Sequence, residues 1–167
     1  VTALVSKYDS GEIPKPKFIL NSLEEGKVGM LFAAPGVGKS HLAFSIAIEN
    51  SSDLTLLGLS ATPTPKKTLI VSSEDSLSIV GKRASAKLKR IGLSSDIVAQ
   101  LSENLDIVYC DEPFVVPNDS SQEVIFQNKS LLENFIEFAS GYSLIMFDTL
   151  SECIGSCDEQ LHDRVIK

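Results

Sequence analysis

Residues 33 to 40, AAPGVGKS, join a glycine-bearing loop to an adjacent lysine and hydroxyl. Such a stretch suits an anion, because Gly36 and Gly38 let successive main-chain N–H groups turn inward where larger side chains would block a phosphate. Written A-x-x-x-x-G-K-S, it matches the phosphate-binding P-loop with Ala33 in place of the usual first glycine. In that pattern Lys39 reaches the β- and γ-phosphates as a mobile cation, and the Ser40 hydroxyl takes a place on Mg2+. The expected ligand is a nucleoside triphosphate, ATP, contacted by Ala34, Pro35, Gly36, Val37, Gly38, Lys39, Ser40 and His41. No separate chemistry follows for the His41 imidazole.

Triphosphate chemistry also needs a second hold on the metal and a group that acts on water. Asp148 closes the apolar run SLIMFD, where an acid can hold Mg2+ through water beside the serine, the Walker B role. Thr149 follows it and is placed to hydrogen-bond behind it. Glu74, directly after TLIVSS, is the candidate that orients or deprotonates the attacking water, with Lys39 as the second catalytic group. Asp75 competes for that role; Glu74 is favoured because residue 75 already begins the turn into a helix and can serve in its cap. If neither acts as a base, the two carboxylates are negative charge at a helix start, a stabilising arrangement in its own right. Lys82, Arg83, Lys87, Lys89 and Arg90 follow on that helix, with 83, 87 and 90 along one face. The patch suits DNA phosphate or a neighbouring subunit's nucleotide, and its plainer reading is a solvated helix face.

These residues need a scaffold, and hydrophobic periodicity outlines one. Residues 1–25 carry two prolines and mixed polarity and read as an extended lead-in, while 26–167 read as the core. KVGMLFA has the length and apolar content of a strand. The helix that follows it, over 40–50, places apolar residues at 42, 43, 46 and 47. Residues 51–67 are rich in Ser, Thr and Pro and form a connection, after which TLIVSS is a buried strand. Ser76 is positioned to cap a helix whose positions 77, 80, 84 and 88 line one face, and Gly92 to end it. LDIVYC is a third strand and SLIMFD a fourth, separated by a helix with Leu131, Leu132, Phe135, Ile136 and Phe138 on its apolar side. Apolar strands alternating with helices specify an α/β fold with a mostly parallel sheet flanked by helices. The chain stops inside what reads as a new helix with no further strand, so the core is expected to continue past Lys167.

Bulk properties narrow the class. At 167 residues the chain has the length of one domain. No run of eighteen apolar residues is present, and no basic stretch leads into an apolar core, which points away from a membrane span or a secretory signal. A net charge of −7 argues against a protein that coats nucleic acid over its whole surface, though not against a local basic groove. Cys110, Cys153 and Cys157 are odd in number and form no CxxC pair, which disfavours a disulfide framework or a four-cysteine zinc site and fits a reduced, cytoplasmic setting. With His41 and His162 as the only histidines, no His/Cys metal site is supported.

Taken together, GKVGMLFAAPGVGKSHLAFSIA, TLIVSSEDS with Arg83 nine residues beyond Glu74, and SLIMFDTL resemble the RecA-like ATPases of the RepA-type replicative helicase group of plasmids and phages. The resemblance spans roughly residues 20–160. It implies a RecA-like P-loop NTPase fold, nucleotide binding by Gly36, Gly38, Lys39 and Ser40, catalysis by Glu74 and magnesium held with the help of Asp148. It further implies a homo-oligomer, a hexameric ring, that hydrolyses ATP at subunit boundaries and moves along single-stranded DNA. The arginine finger, the γ-phosphate sensor and the DNA-facing loops of that group fall beyond Lys167. A nucleotide-dependent assembly module of the same fold, recombinase- or clock-like with slow turnover, is the alternative. A small-molecule kinase would require an arginine-rich lid, which the sequence lacks.

Overall fold

The computed structural model describes residues 2–34, 36–62, 64–73, 76–110, 114 and 122–153. Its centre is a three-stranded parallel sheet of β3 (Thr68–Ser72), β4 (Leu105–Tyr109) and β5 (Leu144–Asp148), in the order β4-β3-β5. The register aligns the strand tips, with Ser72 opposite both Tyr109 and Asp148. β3 is buried at every position, as its unbroken apolar run requires of a strand covered on both faces.

Two apolar layers cover that sheet, sorted by the two-residue period of the strands. On one face Leu69, Val71 and Ile145 pack with Leu131, Phe135 and Ala139 of α5 (Gln122–Ala139). There the Phe114 ring lies 4.7 Å from Phe135 and 6.0 Å edge-on from Phe147. On the other face Leu144 and Met146 meet Ile46 of α2 (Lys39–Ser51), together with Ile19 and Leu59. Fully burying a side chain such as Leu69 is worth about 1.5–3 kcal/mol, so each layer outweighs any single polar contact in holding α2 and α5 to the sheet.

α2 is fixed in direction by its carboxyl end. Asn50 Nδ2 donates to Thr68 Oγ1 (2.9 Å), Lys66 N donates to the Asn50 carbonyl (2.8 Å), and Ser51 Oγ donates to the Asn104 carbonyl (3.2 Å). These bonds pin the last turn of α2 at the beginnings of β3 and β4. One turn earlier Ile46 packs on Leu144 and Met146 of β5, so the helix runs back over the sheet with its amino end toward the carboxyl ends of the strands.

Glu49, in the same last turn, organises the connection that follows. Its Oε2 accepts the N–H groups of Leu56 (2.8 Å), Leu57 and Gly58 (3.0 Å), and its Oε1 those of Leu59 and Ser60 (2.7 Å). Burial alone would push this carboxyl up; the amides of Leu57, Ser60, Leu56 and Leu59 outweigh it and hold the pKa at about 2, against 4.5 ordinarily. The ordered loop then receives β1 (Phe18–Leu20) and β2 (Leu23–Glu24): Leu20 bridges to Ser60, and Asn21 donates through its amide nitrogen to the Gly58 carbonyl (2.8 Å).

Several expectations need correction. KVGMLFA is not a strand: residues 27–34 have no regular structure, and Val28 and Phe32 are 93% and 73% exposed. An apolar run becomes a strand only where a neighbouring edge accepts its N–H and C=O groups, and among the described residues this run pairs with no strand. The lead-in is not extended throughout, because Thr2–Asp9 forms α1, an exposed helix, and Phe18–Glu24 forms the β1–β2 hairpin. α4 (Ser95–Asn104), capped by Ser94 Oγ accepting from Ile97 N (3.4 Å), lay unread between Gly92 and β4. On α5 only part of the expected apolar side is inward; Leu132, Ile136 and Phe138 are exposed, since the sheet is met by the narrower stripe of Leu131, Phe135 and Ala139. No helix among the described residues is long and apolar enough to cross a membrane.

Candidate functional site

The glycine loop leads into α2 through two left-handed residues, Gly36 at φ +78° and Gly38 at φ +97°. A methyl group built at either position meets nothing within 4 Å, so the demand for glycine comes from the backbone angle and not from crowding. Gly38 is the N-cap of α2, and no side chain caps the helix. The first-turn N–H groups therefore point outward with the positive end of the helix dipole behind them, the arrangement an anion uses. Lys39 and Ser40 open the helix and are half-buried; His41 is exposed, and Val37, 65% exposed, lies on the solvent side of the loop.

Asp148 is the last residue of β5, at the carboxyl edge of the sheet. Its carbonyl accepts from Ser73 N (3.0 Å), and Ser73 Oγ donates to the Thr149 carbonyl (3.0 Å), so the tips of β3 and β5 are stitched together. The Thr149 carbonyl thus serves the joint between the strand tips. Among the described residues the side chains of Lys39, Ser40 and Asp148 form no hydrogen bond or ion pair with the protein. The donor set is thus a hydroxyl and a carboxylate not committed elsewhere, together with a cation, and it suits an oxygen-seeking Mg2+ and a phosphate chain. Pro35, Glu74 and Asp75 lie outside the described residues. β3 ends at Ser72, opposite Asp148, and the chain goes on through Ser73 into that segment.

α3 (Leu77–Ile91) follows, with Ser76 at its N-cap position and Gly92, left-handed, ending it. The cap differs from expectation, because the Ser76 hydroxyl makes no capping bond and pairs with Ser78 Oγ instead (2.9 Å). Val80, Ala84 and Leu88 are half-buried as the periodicity requires. The basic face is smaller than its spacing implied: Lys82, Arg83, Lys89 and Arg90 are exposed, whereas Lys87 turns inward to α2. A cavity of about 410 Å3 lined by Lys17, Phe18, Glu25, Thr62 and Lys66 lies near the beginning of β3, at the other end of the strands from Asp148, and is no part of this site.

A family model described as an AAA domain matches residues 2–165. The chain belongs to that AAA domain family. No curated protein matches it. The AAA domain matched here is a P-loop ATPase domain of RecA-like type, and the three-stranded parallel sheet among the described residues agrees with that class. Two features that organise this AAA domain escaped sequence reading, the Glu49 hub and the Lys87 contact. A lone acid at the end of an apolar helix turn, ahead of a loop with Gly58, was the only signal for the first.

Proposed function

We propose that this AAA domain binds ATP with Mg2+ at the glycine loop and hydrolyses it as the motor domain of a DNA helicase acting in replication. The observation that carries the nucleotide site is the uncapped start of α2, reached through left-handed Gly36 and Gly38 and directed toward the strand tips where Asp148 stands. In this reading the main-chain amides from Gly36 to Ser40 and the Lys39 ammonium hold the phosphates, Ser40 and Asp148 hold the metal, and Glu74 orients water. Bound Mg2+ supplies charge neutralisation on the β- and γ-oxygens. The Ser73 bonds that tie the β3 and β5 tips together support this reading, because a fixed strand edge keeps Asp148 in place. The exposed Lys82, Arg83, Lys89 and Arg90 on α3 support contact with a polyanion, single-stranded DNA, in an oligomeric ring.

Measuring ATP binding and hydrolysis with and without single-stranded DNA tests the whole reading. Lys39→Ala should weaken triphosphate binding and stop turnover, and Glu74→Gln should keep ATP bound while slowing hydrolysis by about 10²–10⁴-fold. Normal hydrolysis in Lys39→Ala removes the loop assignment. Loss in Asp75→Asn in place of Glu74→Gln moves the water-orienting role to Asp75. ATP-driven oligomerisation with no response to DNA favours an assembly module over a motor.

A further inference from the structure

The contact between α3 and α2 is polar where the surrounding packing is apolar. Lys87 lies on the half-buried side of α3, beside Ala84, Leu88 and Ile91. Its Nζ donates to the His41 carbonyl oxygen (2.9 Å) and to Ser45 Oγ. Ser45, 8% exposed, donates its own hydroxyl to the same carbonyl (2.8 Å). The three groups form a closed knot on the second turn of α2, directly after Lys39 and Ser40. Among the described residues no carboxylate lies within ion-pair distance of Lys87, and burial lowers its pKa.

A half-buried ammonium is a costly way to hold two helices together, since an apolar side chain would do so without a desolvation penalty. What it adds is direction. Apolar surfaces slide past one another at little cost, but an ammonium moved by a fraction of a turn loses both acceptors and remains partly desolvated. The Lys87 bonds therefore select one register of α3 along α2. That register matters because α2 begins at the glycine loop, while α3 begins just after the chain leaves the strand tip opposite Asp148.

We propose that Lys87 is a positioning residue of the nucleotide site, holding α3 in one register against the first turns of the P-loop helix through the His41 carbonyl and the Ser45 hydroxyl. The inference rests on the reading of residues 33–40 as that site. Lys87 touches neither nucleotide nor metal; it acts through the placement of the two helices.

The test compares Lys87→Met, Lys87→Arg, Ser45→Ala and the Lys87→Met/Ser45→Ala double variant in the full chain. Methionine keeps the packing volume and removes the donor, so Lys87→Met should lower kcat about tenfold, because small misplacements at a reaction centre cost one to two orders of magnitude. Its affinity for ATP should stay within about threefold, and its thermal midpoint near that of the parent. Arginine, which can reach both acceptors, should restore most of the rate. The double variant should be no slower than Lys87→Met alone, because both changes break the same knot. A second measurement does not need turnover: a non-hydrolysable ATP analogue should slow amide exchange across α3 in the parent and fail to do so in Lys87→Met. Parent-like kcat and parent-like α3 protection in Lys87→Met overturn the inference while leaving the nucleotide site standing. A rate loss matched by a fall in thermal midpoint, with no recovery by arginine, overturns it as well, since that describes a stability effect. Failure of the parent itself to bind ATP removes the site and the inference together.

Discussion

Replacing Glu49 by glutamine removes one charge and turns one acceptor oxygen into a donor, at a place where five N–H groups converge. If the amide oxygen takes the place of Oε2, it keeps the three donors of residues 56–58, but its NH2 then faces the N–H groups of Leu59 and Ser60. Either orientation leaves at least two amides without an acceptor. The pKa of about 2, against 4.5 for an ordinary glutamate, corresponds at about 1.4 kcal/mol per unit to an upper bound near 3 kcal/mol for the charged form. The loop borders solvent at Leu57 and Gly58, so screening reduces this to about 1–2 kcal/mol. Unsatisfied amides cost about 1–3 kcal/mol more, which places Glu49→Gln at roughly 2–5 kcal/mol of lost stability.

The sign with pH follows from the depressed carboxyl. Its contribution is fully present above the unfolded value near 4.5 and is lost as pH falls through about 2, with a slope of up to about 1.4 kcal/mol per pH unit inside that window. Urea unfolding of parent and Glu49→Gln at neutral pH and at steps between pH 5 and 2 reads both quantities. The variant should start less stable and lose less on acidification, the two curves converging at low pH. A variant with the parent's midpoint at neutral pH and the parent's acid dependence would refute the reasoning, and with it the view that this carboxylate organises residues 56–60.

Two further outcomes are expected. Gly38→Ala forces a left-handed angle on a residue with a Cβ, at about 1–2 kcal/mol, and should sharply weaken ATP binding. Gly92→Ala carries a similar backbone penalty at the end of α3 and should leave ATP affinity unchanged, as a titration with a fluorescent ATP analogue would show. Tyr142 donates to Asp106 Oδ2 (2.7 Å), and that bond, with burial and the carboxylate's charge, raises its pKa from 10.0 to about 12. Its stabilising contribution is therefore present below pH 10 and lost as pH rises through about 12. An ultraviolet titration should show one late phenol that disappears in Tyr142→Phe, whereas three ordinary tyrosines in the parent would contradict the contact.

The parts of the fold that were legible are those whose signal is local. β3, β4 and β5 announce themselves as short apolar runs, and α2 and α3 as periodic stripes with a glycine at the start of one and the end of the other. Lys39, Ser40 and Asp148 could be named as candidates because the proposed roles need particular atoms at a loop and at a strand end. The misreadings share a cause. KVGMLFA has strand composition, but composition cannot supply a partner edge; the five apolar positions of α5 have helical spacing, but the width of the buried stripe depends on how the sheet meets it. Lys87 belongs to the same group, because a lysine in a basic helix looks solvated until a neighbouring helix presents a carbonyl and a hydroxyl.

By itself, then, the amino-acid order determined which segments are apolar, which glycines permit a left-handed turn, and which side chains are candidates for phosphate and metal chemistry, since these depend on residue type and near neighbours. Tertiary structure alone decided that α2 points its amino end toward the strand tips, that Ser72 stands beside Asp148, and that Glu49 gathers the amides of residues 56–60. Each of these joins groups far apart in the chain. Such contacts form only when buried apolar layers have fixed the elements in place, and no local pattern encodes the distance between them.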